Sequence, residues 1–266
     1  MTEALRARYG FLPFAPPEGS EALRPLLDRR VTRRFTAQEV PDGLLRMVVA
    51  GAQSAPSKSD LQQYSIIAIR GHATRARIAQ AIGTMPWIAE APVLLLFCGD
   101  LRRNRLVGAR AGLPNANDSV DSFINATADA ALALGFAVMA AEALGLGSCP
   151  VSYVRNHLDL VRDLCALPAG VFPLAGLALG WPAARNEVSA RLPPEVVLHA
   201  ERHADADPAA IAAYDARRPP AKPRYPEVHG AAPGGCRWSE NVARQLSVPE
   251  RPGTRDWLAG HGIALG

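Results

Sequence analysis

The feature that most constrains this chain is the stretch Ser122–Leu144, dominated by alanine and other small or apolar side chains and closed by Gly145 and Gly147. Alanine is the strongest helix former, and glycine just past the last turn is a common stop signal. The stretch therefore predicts a long helix. Small residues on every face and few charges predict burial all round. They also let neighbouring helices approach closely. A subunit interface is a natural place for such a helix in a chain of 266 residues, and a central intrachain position is the other. A membrane span fits less well, because Asp129 and Glu142 fall inside the stretch, which is Ala-rich rather than Leu/Ile-rich.

The rest of the chain reads as strands and helices in alternation. Ser20 is a possible N-cap for a helix through EALRPLLDRR, and Pro41 and Asp42 open a second with apolar residues at Leu44, Leu45, Val48 and Val49. Tyr64–Arg70 is β-branched and strand-like, and residues 73–82 form a basic amphipathic helix. Pro92–Cys98 (PVLLLFC) is a continuous apolar run that predicts a strand buried on both faces. Residues 101–120 predict a loop or irregular helix. Ser148–Tyr153 and Val171–Leu179 are further strands, with a helix over Asn156–Cys165 between them. An Ala-rich helix near Pro208–Arg217 and terminal helices over 238–246 and 252–260 complete the pattern. Residues 1–20 read as a loose N-terminal arm, and residues 21–266 as one domain. The Pro-rich segment 218–237 reads as a mobile lid or exchange arm rather than a linker, because helices resume after it. The class is α+β or α/β.

Composition excludes several functions. With 48% hydrophobic and 20% charged residues, the bulk of the chain is not disordered. Cys98, Cys149, Cys165 and Cys236 contain no CxxC pair, so neither a disulfide scaffold, a zinc knuckle nor a redox dithiol is indicated. The net charge of +4 comes from arginines spread along the chain, without the basic stripe of a nucleic-acid binder. The N-terminus lacks a signal-peptide apolar region, so a cytoplasmic protein is expected. No GxSxG, HExxH, Walker A or GxGxxG fingerprint occurs, and the six histidines are scattered. His199 and His203 fall in a loop-like region, so no metal site is expected.

Four local patterns carry chemistry. Arg29, Arg30, Arg33 and Arg34 bring four guanidinium groups to one helix end where the chain enters a basic turn, VTRRFTAQEVP. If helical, the segment places Arg29/Arg33 and Arg30/Arg34 on shared faces. Guanidinium groups chelate phosphate oxygens, although a solvated basic helix end would look the same. Ala55–Gln62 (APSKSDLQ) is a Pro-anchored loop whose hydroxyls and N–H groups could meet a planar heterocycle, or make a plain turn. Residues 145–156 (GLGSCPVSYVRN) pass from two glycines into an extended run, where close backbone approach to a flat ligand is possible. Leu179–Pro182 (LGWP) is followed downstream by Arg191-Leu192-Pro193.

In order and spacing, these patterns resemble the FMN-dependent nitroreductase family, most of all its NADPH-preferring, oxygen-insensitive nitroreductase and flavin reductase branch. The resemblance runs from about Leu23 to the C-terminus. It implies an α+β fold, with a mixed central sheet flanked by helices, and a domain-exchanged homodimer whose two FMN molecules lie at the interface. It implies that Arg29, Arg30 and Arg33 hold the FMN phosphate and ribityl, with Arg191 as a further contact. Ser57, Lys58 and Ser59 would come from the partner chain to the ring or ribityl. Pro150, Val151, Ser152 and Tyr153 would line the ring, and Arg251, with Tyr153, would face the substrate. No protein acid–base pair is implied, because the cofactor carries the chemistry. Hydride would pass from NADPH, or NADH, to the flavin N5 and on to a nitroaromatic, a quinone or free flavin in a ping-pong cycle. A flavin-dependent dehydrogenase, a reductive dehalogenase or a biosynthetic flavoenzyme on the same fold is the alternative. The sequence departs from the family where Val31 replaces a frequent serine, Ser152-Tyr153 a Gly-Gly pair, and Ser189 a basic residue.

Overall fold

A computed structural model describes residues 1–265. In chain order its helices are α1 (Thr2–Tyr9), α2 (Arg24–Asp28), α3 (Asp42–Gln53), α4 (His72–Ile82), α5 (Trp87–Glu90), α6 (Arg102–Arg110) and α7 (Val120–Ala143). These are followed by α8 (Leu158–Cys165), α9 (Pro194–Val197), α10 (Pro208–Arg217), α11 (Pro226–His229), α12 (Trp238–Leu246) and α13 (Thr254–Gly260). The strands are β1 (Tyr64–Ile69), β2 (Val93–Asp100), β3 (Gly147–Val151) and β4 (Val171–Gly180). The chain divides into two compact units, each discontinuous in sequence: Met1–Arg29 with Glu187–Glu250, and Arg30–Asn186 with Arg251–Gly266. The sequence reading has one domain from residue 21. Units built from separated segments leave no linker whose composition could mark a boundary.

The second unit is organised by β2. All eight of its residues are buried, as the unbroken apolar run predicts. Successive side chains point to opposite faces of the sheet. Leu94, Leu96 and Cys98 join a core with Ile78 and Ile82 of α4, Ile88 of α5 and Val161 of α8. Val93, Leu95 and Phe97 join another with Leu45 and Val48 of α3 and Ala133, Ala137 and Ala141 of α7. Sheet order is β1-β2-β4-β3, with every pair of strands antiparallel. The α+β class follows. The mixed character expected of the sheet rests, among the described residues of this chain, on one parallel bridge between Val31 and Ser148.

Small residues let α3 and α7 meet closely. A Cβ on Gly51 of α3 would fall on the Ala140 methyl of α7. Gly145 ends the helix in the left-handed region at φ 74°, and Leu146 N–H returns to Ala141 C=O at 2.9 Å. Burial all round does not hold within one chain. Val120, Ile124, Ala128, Leu132 and Phe136, each four residues from the next, form an exposed apolar stripe on α7. By length and composition alone α7 could cross a membrane. Its opposite face packs as a core helix and carries the buried Asp129.

In the first unit, the expected loose arm contains α1, with Ala4, Leu5 and Arg8 buried. Gly10 closes α1 at φ 78°, its N–H returning to Arg6 C=O at 2.7 Å. The segment 218–237 is tied down at several points. Ala221 and Cys236 exchange backbone hydrogen bonds of 2.9 and 2.8 Å, Tyr225 donates to Glu250 at 2.7 Å, and Arg244 donates to Gly230 C=O at 3.0 Å. Burial pushes the Cys98 and Cys165 thiols up, away from thiolate chemistry near neutral pH.

Candidate functional site

Arg29 to Arg34 are not helical. The helix α2 stops at Asp28, and Arg29 takes φ −56°, ψ 135°. The shared-face spacing of Arg29/Arg33 and Arg30/Arg34 is therefore lost. β-branched Val31 and Thr32 favour extended backbone, and the sheet captures it. Thr32 N–H donates to Ser148 C=O of β3 at 2.9 Å, Ala183 N–H to Arg34 C=O at 2.9 Å, and Thr36 N–H to Trp181 C=O at 2.9 Å. The indole of Trp181 donates to Glu39 C=O at 3.1 Å. The Gly-Trp-Pro motif at the end of β4 thus fixes the extended segment that carries Arg33. Gly147 makes the approach possible, because a methyl there would fall on the Thr32 side chain. We expect Gly147→Ala to lower the thermal midpoint by several degrees by displacing that segment. Thermal denaturation followed by circular dichroism checks this, and an unchanged midpoint would contradict it.

Arg30, Arg33 and the exposed side chains of Lys58, Ser59, Pro150 and Ser152 belong to the second unit. Residues 150–153 span the end of β3 and the start of the turn that follows, and their side chains differ in burial. Pro150 and Ser152 are exposed, Val151 is buried, and the Tyr153 ring packs partly buried against the core. Of these four side chains, Val151 is therefore a core residue. Residues 152–157 form a 3₁₀ turn held to β4 at a bulge. There Leu174 drops out of register and its carbonyl accepts from Arg155. Arg251 Nε donates to Asn156 Oδ1 at 2.6 Å, which sets Arg251 against the same turn.

The Ser57–Gln63 loop depends on a residue that the sequence motifs did not single out. Asp129 of α7 is only 1% exposed. It accepts from Ser57 Oγ at 2.7 Å, Lys58 N–H at 3.1 Å and Gln63 N–H at 2.9 Å. These bonds hold a loop in which Ser59, Asp60 and Gln62 all have positive φ (52°, 56° and 49°) without being glycine. Ser57 Oγ also accepts from Gln62 N–H at 2.7 Å. The Ser57 hydroxyl proton is therefore spent inside the loop. The available signal was a carboxylate in the middle of a mostly apolar helix, which demands partners when buried.

In the first unit, Arg29 and Arg191 gather near Arg8. Arg191 N–H donates to Arg8 C=O at 2.9 Å. No ion pair among the described residues uses Arg29, Arg30, Arg33 or Arg191. Also among the described residues, no group of three or more His, Cys, Asp or Glu is placed to hold a metal. Guanidinium groups that form no ion pair fit a phosphorylated ligand.

The family model described as "Nitroreductase family" matches residues 26–181, and the model of the family's C-terminal domain matches residues 189–266. The chain belongs to the nitroreductase family. Among its nitroreductase relatives is "FMN reductase [NAD(P)H]" of Bacillus subtilis, 33% identical over 255 residues, covering 92% of this chain and 99% of the relative. Another is "Oxygen-insensitive NADPH nitroreductase" of Salmonella typhimurium, 32% identical, again covering 92% and 99%. Among solved nitroreductase folds, NfrA2 of B. megaterium superposes with a TM-score of 0.84 at 30% identity, covering 92% of this chain and 99% of that one. An NADPH:FMN oxidoreductase of Vibrio harveyi complexed with NAD+ gives 0.80 at 26% identity, covering 91% and 98%.

Proposed function

We propose that this nitroreductase is an FMN-dependent NAD(P)H oxidoreductase that reduces small electrophilic aromatics, nitroaromatics and quinones, or free flavin. The observation that carries this reading is the end-to-end match to relatives named for FMN reductase and NADPH nitroreductase activity. The donor set of this chain agrees with it. FMN, when held by these residues, would supply the hydride-transfer chemistry between nicotinamide and acceptor.

The protein's own residues bind and orient. In the first unit, Arg29 and Arg191 serve the phosphate end. In the second, Arg30 and Arg33 serve the phosphate and ribityl, and Lys58 and Ser59 present their side chains to a flavin. Pro150 and Ser152 line the ring, and Val151 contributes backbone alone. Arg251, set beside the turn that follows Tyr153, orients the acceptor. On this reading the enzyme works in the cytoplasm as a homodimer joined through the α7 stripe, and the loop 57–59 serves the partner's flavin.

An anaerobic absorbance titration tests the reading. With FMN bound, the flavin band is expected to bleach on addition of one equivalent of NADPH or NADH. It returns when a quinone or nitroaromatic is added in the absence of nicotinamide. A band that persists with both nicotinamides contradicts the proposal.

A further inference from the structure

The family models begin at residue 26, so α1 lies outside them, and it is docked rather than loose. The Met1 ammonium pairs with Glu21 at 2.7 Å, and the Arg217 guanidinium lies 4.7 Å from the centre of the Phe11 ring just past the helix. The last turn of α1 carries Arg8, only 6% exposed. Its guanidinium spends its donors on backbone. Nε donates to Leu27 C=O at 3.1 Å, Nη2 to Leu27 C=O at 2.5 Å and to Arg29 C=O at 2.9 Å, and Nη1 to Ser189 C=O at 2.9 Å. The Arg8 carbonyl in turn accepts the N–H of Arg191 at 2.9 Å. One buried side chain therefore ties the end of α2, where Arg29 begins the basic run, to the segment that ends in Arg191.

The geometry points to Arg8 as a positioning residue that sets Arg29 and Arg191 for the phosphate of the flavin. This inference rests on the FMN reading above. A fork of rigid, planar donors suits the role, because it fixes three carbonyls in two separate segments at once. No ion pair among the described residues neutralises the cluster, and the charge of Asp28 offsets the repulsion only in part. Burial lowers the Arg8 pKa below the ordinary arginine value, and the charges of Arg191 and then Arg29 lower it further. A bound dianion would relieve that repulsion, and a neutral ligand would not.

Riboflavin, which lacks the phosphate, separates a phosphate-directed role from a general one. Binding of FMN and of riboflavin is titrated by flavin fluorescence on the full chain, on Arg8→Met and on Arg8→Lys. The unaltered chain is expected to prefer FMN. Arg8→Met is expected to weaken FMN about tenfold or more while changing riboflavin by less than about twofold. Arg8→Lys keeps the charge but not the fork, and is expected to fall between. Equal losses for both flavins, or an unchanged FMN affinity, overturn the inference. If Arg8→Met does not fold, the same FMN-to-riboflavin ratio on Arg8→Lys decides. An unaltered chain that binds both flavins equally removes the phosphate grip of Arg29 and Arg191, and Arg8's role with it. A normal preference that survives in both variants removes only the role of Arg8.

Discussion

Asp129→Ala is expected to destabilise the chain by about 3 kcal/mol and to lower its thermal midpoint by about 6–12 °C. The substitution strips acceptors from the Ser57 hydroxyl and from the Lys58 and Gln63 N–H groups at one buried point. Each donor left without a partner costs about 1–3 kcal/mol, partly recovered where the loop reaches water. The loop holds three non-glycine residues at positive φ, so the free backbone has reason to leave. Asp129→Asn keeps the shape and one acceptor, and is expected to lose about half as much. Flavin affinity should fall with the loop, because Lys58 and Ser59 lose their placement. Chemical denaturation of both variants, with flavin titration, checks this. A cost below about 1 kcal/mol for Asp129→Ala would show that Asp129 does not hold the loop.

A larger effect is expected on assembly. Leu132 is 41% exposed, Phe136 40% and Ile124 56%, all on one face of α7 in the isolated chain. Burying one such side chain contributes about 1.5–3 kcal/mol, and a two-fold interface uses each of them twice. Leu132→Asp with Phe136→Asp therefore removes apolar burial and buries four carboxylates per dimer. The dissociation constant is expected to rise by at least about a thousandfold. Light scattering at micromolar concentration should then report the mass of one chain, with bound flavin lost. If the variant keeps a two-chain mass and its flavin, the stripe is not the interface.

The parts of the fold that repeat on a short period were legible. The apolar run 92–98 predicted a strand buried on both sides, and β2 divides its side chains between two cores by simple alternation. Alanines 133, 137 and 141, with Gly145 behind them, predicted α7 and its close. What the sequence hid depends on distant partners. Arg29 to Arg34 read as a helix end entering a basic turn, but Thr32 N–H meets Ser148, more than a hundred residues away, and the run is extended. Residues 102–110 looked irregular, yet Asp100 accepts the Arg103 N–H at 3.0 Å and starts α6. Arg8 looked like part of a loose arm because its three carbonyl partners lie near residues 27, 29 and 189. Tyr153, which with Ser152 stands where a Gly-Gly pair is frequent, rests partly buried against the core. Of the candidate site, the arginines and the hydroxyl loop were readable by residue type. The carboxylate that holds the loop was not, because Asp129 is 66 positions from Gln63 and no motif contains both.

Native mass spectrometry of the purified, FMN-loaded protein tests the central claim most directly. The chain weighs 28.3 kDa. The account predicts one species of two chains carrying two FMN, and loss of flavin whenever the dimer is split. A single chain that retains FMN, or a dimer that carries none in the presence of excess FMN, would contradict it.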